Sequence, residues 1–168
     1  MYKKNYMRIV LDMDDTLAHF NEQEKALERF DKESNFFYHL RPSKMTKIIN
    51  DLLQANEIDK NKIYIVSASP NEQADKDKLK WLEQHLPNIN KDNILFTRLG
   101  QDKAKEFMAR YNINDLSKYI LIDDYTKNLI EWQKLGGKCF KYINEYNNTR
   151  QSYKAHNIPA INSNNIIV

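Results

Sequence analysis

The chain has 168 residues, 41% of them apolar and 11% aromatic, with a formal net charge of +3. That length and composition suit one globular domain with a real core and exclude the signature of disorder. The small charge argues against a nucleic-acid-binding surface, no apolar stretch approaches the roughly 20 residues that cross a bilayer, and the lone Cys139 forms neither an internal disulfide nor a cysteine zinc site. A cytoplasmic protein without a secretory leader is the expectation, with no membrane partner.

The elements alternate. Tyr6 to Leu11 is a continuous apolar run that predicts a strand buried on both faces. Asn21 to Ser34 reads as an amphipathic helix with Ala26, Leu27 and Phe30 on one stripe. Ser43 is placed to cap a helix running to about Ala55, whose apolar face is Ile48, Ile49, Leu52 and Leu53. A strand follows at Ile63 to Val66, then a helix from Asn71 to Leu86 stopped by Pro87. The Lys76 to Lys80 stretch within it reads as a solvated face. Strands at 93–97, 119–122 and 138–143 alternate with helices at 102–111 and 126–135, and the Asn-rich tail from Asn144 reads as loops.

Strands separated by helices predict an α/β fold, a Rossmann-like parallel sheet of about five strands with helices on both faces. The fifty residues between the first two strands are long for one crossover. They predict a small helical cap at about 19–40, inserted into a core made of 1–18 and 41–168.

Ligands gather at the carboxyl ends of the strands in such a sheet. The first strand exits into Asp12-Met13-Asp14-Asp15-Thr16, the second into Ser67, and the fourth into Asp123-Asp124, while Lys103 opens the helix before the fourth. Clustered carboxylates repel by several kcal/mol at close range and persist where a cation, a substrate or a shared proton compensates them. Hard oxygen donors around an open position suit Mg²⁺. In an extended chain Asp12 and Asp14 share a side and Met13 points away. Each residue also has a plainer reading: Ser67 and Asp123-Asp124 as helix caps, Lys103 as a surface charge.

These residues together resemble the haloacid dehalogenase-like phosphohydrolase superfamily. Ile9 to Leu17 is similar to its first motif, a strand followed by Asp-x-Asp-x-Thr, with Asp15 where many members have Gly. Ile63 to Ser67 is similar to the second and Ile120 to Asp124 to the fourth. Asp102-Lys103-Ala104 is the best match to the lysine motif, with Lys78, Lys80 and Lys105 competing for it. Within the superfamily, Asp12 to Phe20, Asn35 to Pro42 and Trp81 to Leu86 resemble the 5′(3′)-deoxyribonucleotidase group.

The resemblance implies a Mg²⁺-dependent phosphomonoesterase acting on a small phosphate ester, here a nucleoside monophosphate. It implies Asp12 as nucleophile, Asp14 as general acid and base, and Ser67 and Lys103 as phosphate ligands. Asp12, Asp14, Asp123 and Asp124 would be the metal ligands. Phe20, Phe37 and Arg41 would be cap residues facing substrate, although Phe36, Phe37 and Tyr38 fit core or cap packing better than base stacking. The alternatives are a phosphatase of another small ester or a non-catalytic phosphate-binding protein on the same fold. A signalling receiver domain is disfavoured, because its acidic pair lies on the first strand.

Overall fold

The computed structural model describes residues 7–147, 151–162 and 164. Six strands form one sheet in the order β3-β2-β1-β4-β5-β6, all of them parallel. They are β1 (Arg8–Leu11), β2 (Ile63–Ser69), β3 (Ile94–Arg98), β4 (Tyr119–Asp123), β5 (Lys138–Tyr142) and β6 (Ala160–Ile161). The helices are α1 (Ala26–Arg29), α2 (Lys44–Gln54), α3 (Glu72–His85), α4 (Lys103–Arg110) and α5 (Thr126–Lys134).

The pleat sorts the apolar residues into two cores. Leu11, Ile63 and Ile65 face one side, packed with Met45, Ile49 and Leu53 of α2 and Trp81 and Leu82 of α3. Val10, Val66 and Leu121 face the other, packed with Phe107 of α4 and Leu129 and Trp132 of α5. A strand covered on both faces has to be apolar at successive positions, which is why Ile9–Leu11 and Ile63–Val66 show no polar alternation.

Helix ends are set by local chemistry. Ser43 accepts the Thr46 N–H at 3.4 Å and donates to the Thr16 carbonyl at 2.7 Å, so one hydroxyl starts α2 and fixes the loop after β1. Asn71 caps α3 through the Ala74 N–H at 2.9 Å, and Asp102 caps α4 through Ala104 and Lys105.

Three expectations need correction. The Asn21–Ser34 segment contains only one helical turn, α1, and Lys25 at positive φ breaks the repeat just before it. Its apolar residues serve tertiary packing instead: Phe20, Phe30, Phe36 and Phe37 form one aromatic cluster with ring centroids 5.2–6.4 Å apart. The tail is not all loop, since Ala160–Ile161 extends the sheet beside Lys141 and Tyr142 and adds a sixth strand among the described residues. The first strand begins at Arg8, and Tyr6 lies outside the described residues.

Strand order places the site. From β1 the chain winds outward through β2 to β3, then crosses to β4 on the other side of β1. The crevice beyond the ends of β1 and β4 is therefore the topological switch point, where open α/β sheets bind ligands.

Candidate active site

Asp12 follows β1 directly, its N–H bonded to the Ile122 carbonyl at 3.0 Å, and Asp123 closes β4 in the next strand. This pairing brings Asp12, Asp123 and Asp124 together with one carboxylate oxygen from each within 4.8 Å of the others. Asp12 is 4% exposed and Asp123 is fully buried.

Such a cluster has to be neutralised. Lys103, buried at the start of α4, donates to Asp12 and to Asp123 Oδ2, the latter at 3.1 Å. Burial alone would lower the pKa of this ammonium; Asp12 and Asp123 outweigh it and raise the value above that of an ordinary lysine. Burial, with Asp123 next in weight, pushes the Asp12 carboxyl up to about 7. Asp124 is raised as well, by burial and by Asp123 and Asp12. One lysine does not compensate three carboxylates.

The two members of the acidic pair differ in their surroundings. Asp123 is saturated: Oδ1 accepts the Tyr125 N–H at 2.7 Å, and Oδ2 accepts from Asn128 at 2.9 Å and from Lys103. Asp124 remains partly exposed, and its backbone carbonyl accepts from the buried Lys141.

A second lysine joins Lys103 here, one of its competitors for the lysine motif. Lys78 is fully buried, and its ammonium donates to Asp14 Oδ2 at 2.7 Å, Ser67 Oγ at 2.8 Å and the Ala68 carbonyl at 2.7 Å. The reading of Lys76 to Lys80 as a solvated face is therefore wrong at its centre. The signal was present in the spacing: Ala74, Asp77, Lys78, Trp81 and Leu82 are the buried stripe of α3, and Lys78 occupies a core position on it. Lys80 and Lys105 are exposed.

Asp15 also has a function that its sequence position did not suggest. It sits at φ 57°, and both of its carboxylate oxygens accept from Asn21, through the backbone N–H at 3.0 Å and the side-chain amide. The carboxylate thereby pins the chain as it leaves the acidic loop.

Of the proposed site residues, Asp12, Asp123, Asp124 and Lys103 meet in one group, and Asp14 and Ser67 meet at Lys78. Phe20 and Phe37 are buried in the aromatic cluster. Arg41 is half-exposed and ion-paired with Glu22 at 2.8 Å and Glu145 at 3.3 Å. Hard oxygen donors, two buried ammonium groups and a hydroxyl at a switch point can hold a divalent cation and a phosphoryl group together.

The family model described as 5′ nucleotidase, deoxy (Pyrimidine), cytosolic type C protein matches residues 2–167. The chain belongs to this family. As a member of this nucleotidase family the chain is an HAD-like phosphatase, and its substrate is a small phosphate ester. Solved structures with the same fold include a D,D-heptose 1,7-bisphosphate phosphatase from B. bronchiseptica, complexed with magnesium and phosphate. That structure has a TM-score of 0.62 at 12% identity over 92% of each chain. A HAD-superfamily hydrolase from Ehrlichia chaffeensis has a TM-score of 0.57 at 10% identity, over 92% of this chain and 90% of that one. At such identities the likeness is one of fold. No curated protein sequence matches the chain significantly. The family description says cytosolic, and among the described residues no helix is long and apolar enough to cross a membrane.

Proposed function

We propose that this 5′-nucleotidase family member is a Mg²⁺-dependent hydrolase of (deoxy)nucleoside monophosphates that works through an aspartyl-phosphate on Asp12. The observation that carries the reading is the pairing of two half-sites at one sheet edge. One is the Asp12–Asp123–Asp124 group, and the other is the Lys78 ammonium joining Asp14 to Ser67.

The donor set fits a divalent cation. Four carboxylates, those of Asp12, Asp14, Asp123 and Asp124, stand near three ammonium groups, those of Lys78, Lys103 and Lys141. The carboxylates outnumber the ammonium groups, and a divalent cation would offset the excess. Asp12 and Asp124, with the backbone carbonyl of Asp14, would hold the ion, while Asp123 is committed to Tyr125, Asn128 and Lys103 and acts from behind. When bound, Mg²⁺ would supply positive charge to offset the carboxylates and the phosphate ester.

The residues of the chain divide the remaining work. A carboxylate oxygen of Asp12 attacks phosphorus, forming the Asp12–phosphorus bond as the bond to the nucleoside oxygen breaks. Asp14 gives its proton to that leaving oxygen, then removes one from the water that hydrolyses the aspartyl-phosphate, returning Asp12 and releasing phosphate. Ser67 Oγ, Lys78 and Lys103 donate to the phosphoryl oxygens as charge builds on them. Residues 19–40 form a small cap, held to α3 by Asn35 N–H on Asp77 at 2.6 Å and Trp81 Nε1 on the Leu40 carbonyl at 2.7 Å.

Phosphate release from a panel of ribo- and deoxyribonucleoside monophosphates and sugar phosphates, with Mg²⁺ and with chelator, tests the reading. Preference for the nucleotides with Mg²⁺ supports it. Equal or better turnover of sugar phosphates, or turnover undiminished by chelator, rejects it.

A further inference from the structure

Phe37 was expected to face substrate, yet it is 1% exposed and stands beneath a catalytic-edge cation. The Lys78 ammonium lies 4.3 Å from the centre of its ring. At this separation a desolvated ammonium is attracted to the ring face. All three N–H donors of the same ammonium go to Asp14, Ser67 and the Ala68 carbonyl, so the ring meets its charge rather than a spare N–H. Lys78 therefore has a polar side that faces the reaction and an aromatic side supplied by the 19–40 segment.

Neighbouring residues fix the geometry of that segment on α3. One residue before Lys78, the buried Asp77 accepts the Asn35 N–H at 2.6 Å and is braced by Gln73 at 2.9 Å. Three residues after it, Trp81 Nε1 donates to the Leu40 carbonyl at 2.7 Å. At the start of α3, Asn71 donates to the Asp31 carbonyl at 3.2 Å. Phe37 lies between the Asn35 and Leu40 anchors and is locked by Phe20, Phe30 and Phe36. Polar clamps and the ring cluster leave the Phe37 ring one place to sit. A long lysine side chain has many rotamers to lose, and a fixed ring on its far side favours the one that reaches Asp14 and Ser67.

We infer that Phe37 is a positioning residue, acting on the reaction through Lys78 rather than by stacking a nucleobase. The inference rests on the reading of Lys78, Asp14 and Ser67 as one phosphate-facing unit, and it assigns the 19–40 segment a role in catalysis beyond covering the site.

The test is a double-mutant cycle on Phe37→Leu and Lys78→Met, with a nucleoside monophosphate and the base-free ribose 5-phosphate as substrates. Phe37→Leu is expected to lower kcat on the order of tenfold on both substrates, with KM moving less than twofold. In the Lys78→Met background the same change is expected to have no further effect, and Phe37→Tyr, which keeps the ring, should recover most of the loss. A rise in KM confined to the nucleotide would show base stacking and overturn the inference; so would full additivity of the two substitutions. NMR gives a readout independent of activity. Lys78 side-chain resonances should be shifted upfield in the wild-type protein and return toward ordinary positions in Phe37→Leu. Ordinary Lys78 shifts in the wild type overturn the positioning role even if the enzyme turns over, whereas a failed nucleotide preference overturns only the substrate assignment.

Discussion

Lys78 and Asp14 meet at 2.7 Å across 64 residues of sequence, with the ammonium fully buried and the carboxylate partly open to solvent. Removing one partner of a buried pair leaves the other uncompensated and costs several kcal/mol of local order. A preorganised donor aimed at developing charge is worth about 3–4 kcal/mol. Lys78→Met should lower kcat by about 10²- to 10³-fold, measured by steady-state phosphate release, while Lys80→Met on the exposed side of the same helix stays within twofold. Equal losses from both would mean that helix damage, not the Lys78 contact, accounts for the effect.

This pair also marks where the sequence stopped being readable. The sheet, the strand ends at Asp12, Ser67 and Asp123, and the cap Ser43 were legible because each depends on residues close in the chain: an apolar run, a turn, a side chain three residues from the N–H it accepts. Lys78 was misread because a lysine at a core position of a helix has meaning only once the carboxylate and hydroxyl across the sheet edge are known. The 21–34 segment was overcalled as a helix because its apolar spacing serves a four-ring cluster that no local period reports. The short β6 strand was missed for a related reason: two residues owe their extended form to Lys141 and Tyr142 alongside.

The assignment of Asp12 as nucleophile predicts a trapped intermediate. Asp12→Asn should reduce turnover by at least about 10⁴-fold, because no neighbouring group can form the phosphoenzyme in its place. Brief incubation of the wild type with labelled substrate and an acid quench should leave label on the peptide containing Asp12, lost on treatment with hydroxylamine. Label on another aspartate would move the nucleophile; Asp12→Asn at wild-type rate would remove it altogether.

Charge crowding sets a pH dependence for the metal-free protein. The Asp12 carboxyl is raised from an ordinary 3.8 to about 7 in the folded state, and Asp124 is raised too, by burial and by its acidic neighbours. A raised carboxyl binds its proton more tightly when folded. Its stabilisation is complete below the unfolded value and disappears as pH rises through the folded one. Lys103, raised above its ordinary value, stays charged throughout this window and does not offset the trend. The chelated protein should lose several degrees of Tm between pH 5 and pH 8, and millimolar Mg²⁺ should restore more of it at pH 8 than at pH 5, since the ligands bind as carboxylates. Asp124→Asn should flatten the chelated curve and weaken the Mg²⁺ response. A Mg²⁺ effect independent of pH across this range would contradict the assignment of these carboxylates as ligands.

Asp15 gives a purely structural test of the acidic loop. Its backbone lies in the left-handed region at φ 57°, where a side chain with a Cβ costs roughly 1–2 kcal/mol, and Asp is among the residues that best tolerate it. Its two oxygens hold Asn21, so the residue combines an unfavourable backbone with favourable side-chain bonds. Asp15→Gly removes the bonds and relieves the backbone; Asp15→Ala removes the bonds and keeps the strain. The order of Tm should be wild type, then Gly, then Ala, with the two variants separated by about 1 kcal/mol, or roughly 2–4 °C for a chain of this size. Because Asp15 touches neither Ser67 nor the Lys103 pair, Asp15→Gly should retain Mg²⁺-dependent turnover within about fivefold. An Ala variant more stable than the Gly variant would show that the left-handed geometry is not what limits this position.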